Sequence, residues 1–154
     1  MPESGLCRRR RTASNVGVEV NHIVIPAQDQ RATARFLAYV LGLEAESDSR
    51  QFVRLRSCNG LTLEVSELTA CGAFQCALLV TGAEFKAALD RIIDASINFF
   101  AAFDRTGRGE INREHGERSI YFDDPDGHLF ELIEQADESG RENRIKAVAI
   151  KYRY

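Results

Sequence analysis

The stretch Asp124-Pro125-Asp126-Gly127-His128-Leu129-Phe130-Glu131-Leu132-Ile133-Glu134 decides how the rest of the chain is read. Its first four residues are turn chemistry: proline presets one φ, the aspartates can bond their own backbone, and glycine takes a positive φ without steric cost. The residues that follow alternate as a strand, with Leu129, Glu131 and Ile133 on one face and Phe130 and Leu132 on the other. Glu131 is then a carboxylate in an otherwise apolar strand, which costs on the order of several kcal/mol unless a cation or donor compensates it. His128, in the turn, is expected to face solvent. The segment Asn59-Gly60-Leu61-Thr62-Leu63-Glu64-Val65-Ser66-Glu67 has the same plan: Gly60, Glu64 and Glu67 recur 67 residues later as Gly127, Glu131 and Glu134. The chain reads as a repeated unit that ends in a turn and a strand with a buried carboxylate.

Working outward, each unit fills in. Glu19 to Pro26 is β-branched and alternates, with His22 and Val24 on one face and Ile23 and Ile25 on the other. Asp29 offers an N-cap, and Phe36, Leu37, Val40 and Leu41 recur at helical spacing until Gly42 stops the helix. Strands near 43–48, 51–57 and 61–67 complete a first module over 18–68, with Asn59-Gly60 as a hairpin signal. A second module over 73–135 repeats the order: a strand from Phe74 to Val80, a helix opened by Gly82-Ala83-Glu84, a short strand from Ile97 to Phe100, and two strands joined by the Asp-Pro-Asp-Gly turn. First strands superpose at an offset of 53 residues and last strands at 67, so 14 extra residues lie in the second module. The polar loop 102–117 is long enough to hold them, and such a loop in a compact domain is expected to cover a site. The fold class is α+β, β-α-β-β-β twice over, followed by a tail at 136–154 that could supply an extra strand or a partner contact.

With 154 residues, 44% hydrophobic and 28% charged, the chain has the composition of a globular domain with a real core. A net charge of −3 gives no global case for nucleic acid or an anionic membrane. The basic run Arg8 to Arg11 sits in residues 1–17, read as a disordered leader. No apolar stretch approaches a membrane span, and a cytoplasmic location is expected. Cys7, Cys58, Cys71 and Cys76 form no CxxC pair and are read as reduced thiols.

Equivalence of the modules puts His22, Glu64, Gln75 and Glu131 at matching depths on their strands. One imidazole, two carboxylates and an amide carbonyl suit one divalent ion, Fe, Ni, Mn or Zn, with positions left for water or substrate. Each residue also has a plainer alternative: His22 as a satisfied core histidine, and the glutamates as partners of Arg54, Arg56 or Arg118.

The segments Val20 to Ile25, Phe36-Leu37 with Leu41-Gly42-Leu43, Leu61 to Glu64, and Tyr121 to Ile133 resemble the vicinal oxygen chelate superfamily, across about residues 19–135. This superfamily includes glyoxalase I, extradiol dioxygenases, methylmalonyl-CoA epimerase, and the fosfomycin and bleomycin resistance proteins. The resemblance implies two βαβββ modules whose curled sheets enclose a cup with a metal at its floor, usually in a homodimer. It places His22, Glu64 and Glu131 at metal-ligand positions; Gln75 departs from the histidine common there. With a single histidine in the set, a two-histidine, one-carboxylate iron site needs His115 from the long loop. Some glyoxalases resemble a Gln, Glu, His, Glu set, present here with Gln and His exchanged between modules.

The loop from Gly107 to Asn112 before Arg118 to Phe122 also resembles a subgroup of small members that includes oxygenases of aromatic polyketides. The expectation is a metal-dependent glyoxalase- or dioxygenase-type enzyme acting on a small, aromatic or quinone-like substrate with vicinal oxygens. Glu64 or Glu131 would act as general base, and Tyr121, Arg118, His115 and Asn112 would line the mouth and bind substrate. The alternative is a metal-free protein of the bleomycin-resistance type that sequesters a planar ligand.

Overall fold

Two strand-helix-strand-strand-strand units follow one another, as the repeat predicts. The structure, a computed structural model, describes residues 20–57, 60–68, 72–135 and 148–152. The first unit comprises β1 (His22–Ala27), α1 (Gln30–Leu41), β2 (Glu44–Asp48), β3 (Phe52–Arg56) and β4 (Thr62–Glu67). The second comprises β5 (Phe74–Val80), α2 (Gly82–Asp94), β6 (Phe99–Phe100), β7 (Ser119–Asp123) and β8 (Leu129–Glu134). A last strand, β9 (Val148–Tyr152), pairs antiparallel with β5, so the tail does contribute a strand. The basic leader, Asn59, Cys7, Cys58, Cys71 and the stretch 136–147 lie outside the described residues.

Local chemistry sets the helix ends. The Asp29 carboxylate accepts from the Arg31 and Ala32 N–H groups at the start of α1, and Gly42 closes that helix in the left-handed region at φ 68°. Thr81 and Glu84 form a reciprocal capping box on α2.

The sheets are ordered β1-β4-β3-β2 and β6-β7-β8-β5-β9. In each module the first and last strands pair in parallel, β1 with β4 and β5 with β8. One face of each sheet is apolar and buried: Ile23, Ile25, Val53, Leu55, Leu63 and Val65 in the first, Cys76, Leu78, Ile120, Phe122, Phe130 and Leu132 in the second. These faces and the buried sides of the helices, Leu37 and Val40 on α1 and Phe85, Ala88 and Ile92 on α2, form one continuous core. Burying this face is the main driving term for the fold. Cys76 lies within it, and burial pushes its thiol up to about 12, so it is not a reactive nucleophile.

The Asp-Pro-Asp-Gly-His turn joins the modules. Asp126 accepts from the Gln28 N–H (2.9 Å) and the Thr33 hydroxyl (2.6 Å) at the start of α1. His128 is fully buried, which corrects the expectation that it faces solvent. Its Nδ1 accepts from the Phe74 N–H at 3.2 Å, so Nε2 carries the proton and donates to the Pro26 carbonyl at 2.7 Å. The ring also packs on Phe74, with centroids 4.3 Å apart. Across the same joint Phe36 of α1 meets Phe122 of β7. The physical reason is parity: position 128 shares the inner face with 130 and 132, and the turn folds it onto β1.

The two sheets share no strand pairing and do not close on one another. The inner face of each sheet joins the common core, and the candidate ligand pairs lie on the other face of each. The cup implied by the resemblance is therefore not enclosed by the two modules of one chain.

Candidate functional site

Strand pairing places the candidate ligands at equivalent registers. His22 pairs with Thr62 and Val24 with Glu64; Gln75 pairs with Leu129 and Ala77 with Glu131. His22 is therefore one step diagonal to Glu64, as Gln75 is to Glu131, and both pairs occupy the outer faces. On the next strand, Arg54 sits opposite Glu64 and Tyr121 opposite Glu131. Positions 54 and 121 obey the same 67-residue offset as the carboxylates.

Each carboxylate already has a partner. Arg54 Nε donates to Glu64 Oε1 at 2.7 Å, where the side chains are 41% and 16% exposed. The guanidinium also lies 4.5 Å from the Phe52 ring centroid. Of the three arginines considered as carboxylate partners, Arg54 is thus the one that meets a ligand-position glutamate. In the second module the Tyr121 hydroxyl bonds Glu131. Burial first, then that hydrogen bond and the charges of Glu131 and Glu114, push the phenol above its usual range, so it stays a proton donor at neutral pH. His22 is exposed, with Nδ1 3.1 Å from Asn21 Oδ1, and Gln75 is half-buried.

The structure brings the four residues together as two pairs on two sheets. Among the described residues, no group of three or more His, Cys, Asp or Glu side chains is arranged to hold a metal ion within one chain. His22, Glu64 and Glu131 are all described, and they form no such group within the chain.

The remaining predicted site residues divide. Tyr121 shares its face with Glu131, next to Phe100 on β6. Asn112 bridges Ser119, and its side chain accepts the Glu114 N–H, capping the single turn Glu114–Gly116 that carries His115. Arg118 has the opposite parity: it pairs with both carboxylate oxygens of Glu134 and lies 4.8 Å from the Phe85 ring centroid on the helix side. That takes it off the face carrying Tyr121. Gly82 makes room for this pair, since a Cβ there would lie 2.7 Å from Glu134 Oε1. The long loop is tied down by Arg105, which is bidentate to Asp123, and by Arg108, which donates to Asn98. A separate cleft of about 730 Å³ opens between the modules on the helix side, lined by Leu43, Leu61, Leu63, Ala88 and Leu132 with Arg56 and Arg91 among its polar groups. None of the candidate ligands lines it.

No protein-family model matches the chain, and no curated protein matches it by sequence. Solved structures do. A protein named oxidase ChaP-H2 is 33% identical, with a TM-score of 0.71 over 80% of this chain and 98% of that one. The chain belongs to the vicinal oxygen chelate superfamily. Two further members of similar shape are a lactoylglutathione lyase from Agrobacterium tumefaciens and a fosfomycin resistance protein from Listeria monocytogenes. The first is 19% identical with a TM-score of 0.62, over 82% of this chain and all of the other. The second is 23% identical with a TM-score of 0.58, over 81% and 98%. At these identities the likeness is one of fold. Superfamily membership accounts for the duplicated module; no helix among the described residues is long and apolar enough to cross a membrane.

Proposed function

We propose that this chain is a metal-dependent enzyme of the glyoxalase or dioxygenase type that acts on a small substrate with two adjacent oxygens. Its site would be completed by a second copy: His22 and Glu64 from one chain, Gln75 and Glu131 from the other. The observation that carries this reading is the matched register of the two pairs on outward faces. A twofold axis that brings unlike sheets face to face would set all four donors around one point, twice per dimer. Val20 and Val24 flank His22 and are about half exposed, an apolar surface that such a contact would cover. The likeness to an oxidase supports oxygen-dependent chemistry, and the resemblance of the loop from Gly107 to Asn112 favours an aromatic or quinone-like substrate.

An imidazole, two carboxylates and an amide carbonyl fit iron, nickel, manganese or zinc. A bound ion would polarise the paired substrate oxygens as a Lewis acid. Around it, Tyr121 holds the Glu131 carboxylate in one orientation by its hydroxyl. Glu131, the carboxylate without a fixed positive partner, is the better general base. Glu64, tied to Arg54, is held in place and serves as a ligand. Phe100 and Asn112 bound the pocket on the side of the long loop.

A second reading has its own support. Arg54 satisfies Glu64 and Tyr121 satisfies Glu131 without any ion, so a metal-free, ligand-sequestering protein would bury no uncompensated carboxylate.

Mixing variants decides between them. His22→Ala and Glu131→Gln proteins should each lose bound metal, measured by elemental mass spectrometry after loading. Unfolded and refolded together, they should regain about a quarter of the wild-type content, because half the dimers then contain one intact site. No metal in wild type supports the sequestering reading. Metal in wild type with no recovery on mixing would sink the shared-site arrangement.

A further inference from the structure

The two modules place donors at the same registers, His22 and Glu64 in the first and Gln75 and Glu131 in the second, and they also differ in what stands beside the carboxylate. The second module places a neutral phenol, Tyr121, opposite Glu131, and the first places a guanidinium, Arg54, opposite Glu64. We infer that Arg54 makes the assembled site cationic and selects a ligand that binds as an anion. This rests on the metal-dependent reading above.

The chemistry and placement of Arg54 carry the inference. A guanidinium keeps its charge at any ordinary pH, so Arg54 brings a fixed positive charge to the face that Glu64 occupies. Nearby, Arg56 pairs with Glu46 at 2.6 Å and Arg105 with Asp123 at 2.6 Å, while Lys151 holds the register position opposite Gln75 on β9. Glu114, whose charge reaches Tyr121, is exposed and adjoins the exposed Arg113. The position of Arg54 suits direct contact. Its bond to Glu64 is made by Nε, one of five N–H donors in a rigid fork. At 41% exposure the side chain still reaches the open face, and the Phe52 ring beneath restrains its plane. A planar, fixed fork beside two paired oxygens is suited to a carboxylate or a deprotonated hydroxyl on the same ligand.

The test uses the full-length protein titrated with cobalt(II), then with oxalate and with oxamide, its neutral analogue with the same vicinal carbonyls. Calorimetry on wild type, Arg54→Met and Arg54→Lys reads each affinity. Arg54→Met should weaken oxalate by about tenfold or more while leaving oxamide unchanged, and Arg54→Lys should recover part of the loss. Cobalt affinity should not fall in Arg54→Met, because removing a positive charge from beside the ion favours it. Equal losses for both probes, or weaker cobalt binding in Arg54→Met, would overturn the inference and leave Arg54 as a structural partner of Glu64. If wild type takes up no cobalt, the proposed function fails and this inference with it. The metal titration comes first and keeps the two failures apart.

Discussion

Two histidines in this chain do opposite work, although each lies at a strand end. His22 is exposed and bonded only to its neighbour's side chain in the described contacts, whereas His128 is fully buried between the modules with both ring nitrogens engaged. Replacing His128 by Ala removes two buried hydrogen bonds and leaves a cavity, and should cost about 3 kcal/mol or more. Replacing His22 by Ala should change stability by about 0.5 kcal/mol or less. Chemical denaturation of the two variants checks the contrast. Asp124 belongs to the same turn. Its Oδ1 accepts from the Asp126 and His128 N–H groups, while its buried Oδ2 has no hydrogen-bond partner. Burial pushes its carboxyl up to about 6, against the pull of His128 and those two N–H bonds. Because the folded value lies above the ordinary one, the fold favours the protonated acid. The resulting stability is complete below about pH 4 and is lost as pH rises through about 6. Relative to wild type, Asp124→Asn should therefore gain about 2 kcal/mol between pH 4 and pH 7. The difference between the two thermal unfolding profiles isolates this group from the other carboxylates, and a difference that is flat with pH would contradict it.

At the level of elements, boundaries follow from single residues. Gly42 adopts φ 68°, and a Cβ there would lie 3.0 Å from the Arg91 guanidinium, which donates to the Val40 carbonyl across the α1–α2 contact. Gly42→Ala should lower stability by about 1 kcal/mol or more from backbone strain and crowding together, read by thermal unfolding. The long loop of the second module was expected as an insertion, and its length follows from the two offsets. Its anchoring was not legible, because the Arg105–Asp123 and Arg108–Asn98 contacts join residues that no periodicity relates. Arg118 differs: alternation along a strand already sets position 118 off the face of position 121, and its pairing with Glu134 beside Phe85 places it on the helix side.

For the whole molecule, the arrangement of modules matters more than their content. A shared core takes the inner faces and leaves the His22–Glu64 and Gln75–Glu131 pairs on the other faces, so in the proposed dimer each chain would supply half of each of two sites. The recovery expected on mixing His22→Ala with Glu131→Gln depends on this geometry. It should appear together with a sedimentation mass of two chains, and it should disappear under conditions that keep the chain monomeric. Among the described residues β1 is an edge strand, whereas β9 lies against the corresponding side of β5.

By itself the sequence determined the duplicated βαβββ unit, the caps of the first helix, and the equivalence of His22 with Gln75 and of Glu64 with Glu131. These depend on periodicity, turn chemistry and fixed offsets, all of which are local or repeat along the chain. Three-dimensional packing decided that His128 is buried, that Arg54 rather than Arg56 or Arg118 holds a ligand-position glutamate, and that the four donors divide into two pairs. The reason is that these outcomes depend on which faces of two separate sheets meet. Side-chain alternation says only that a strand has an apolar face, while burying both apolar faces in one core decides where the other two must point.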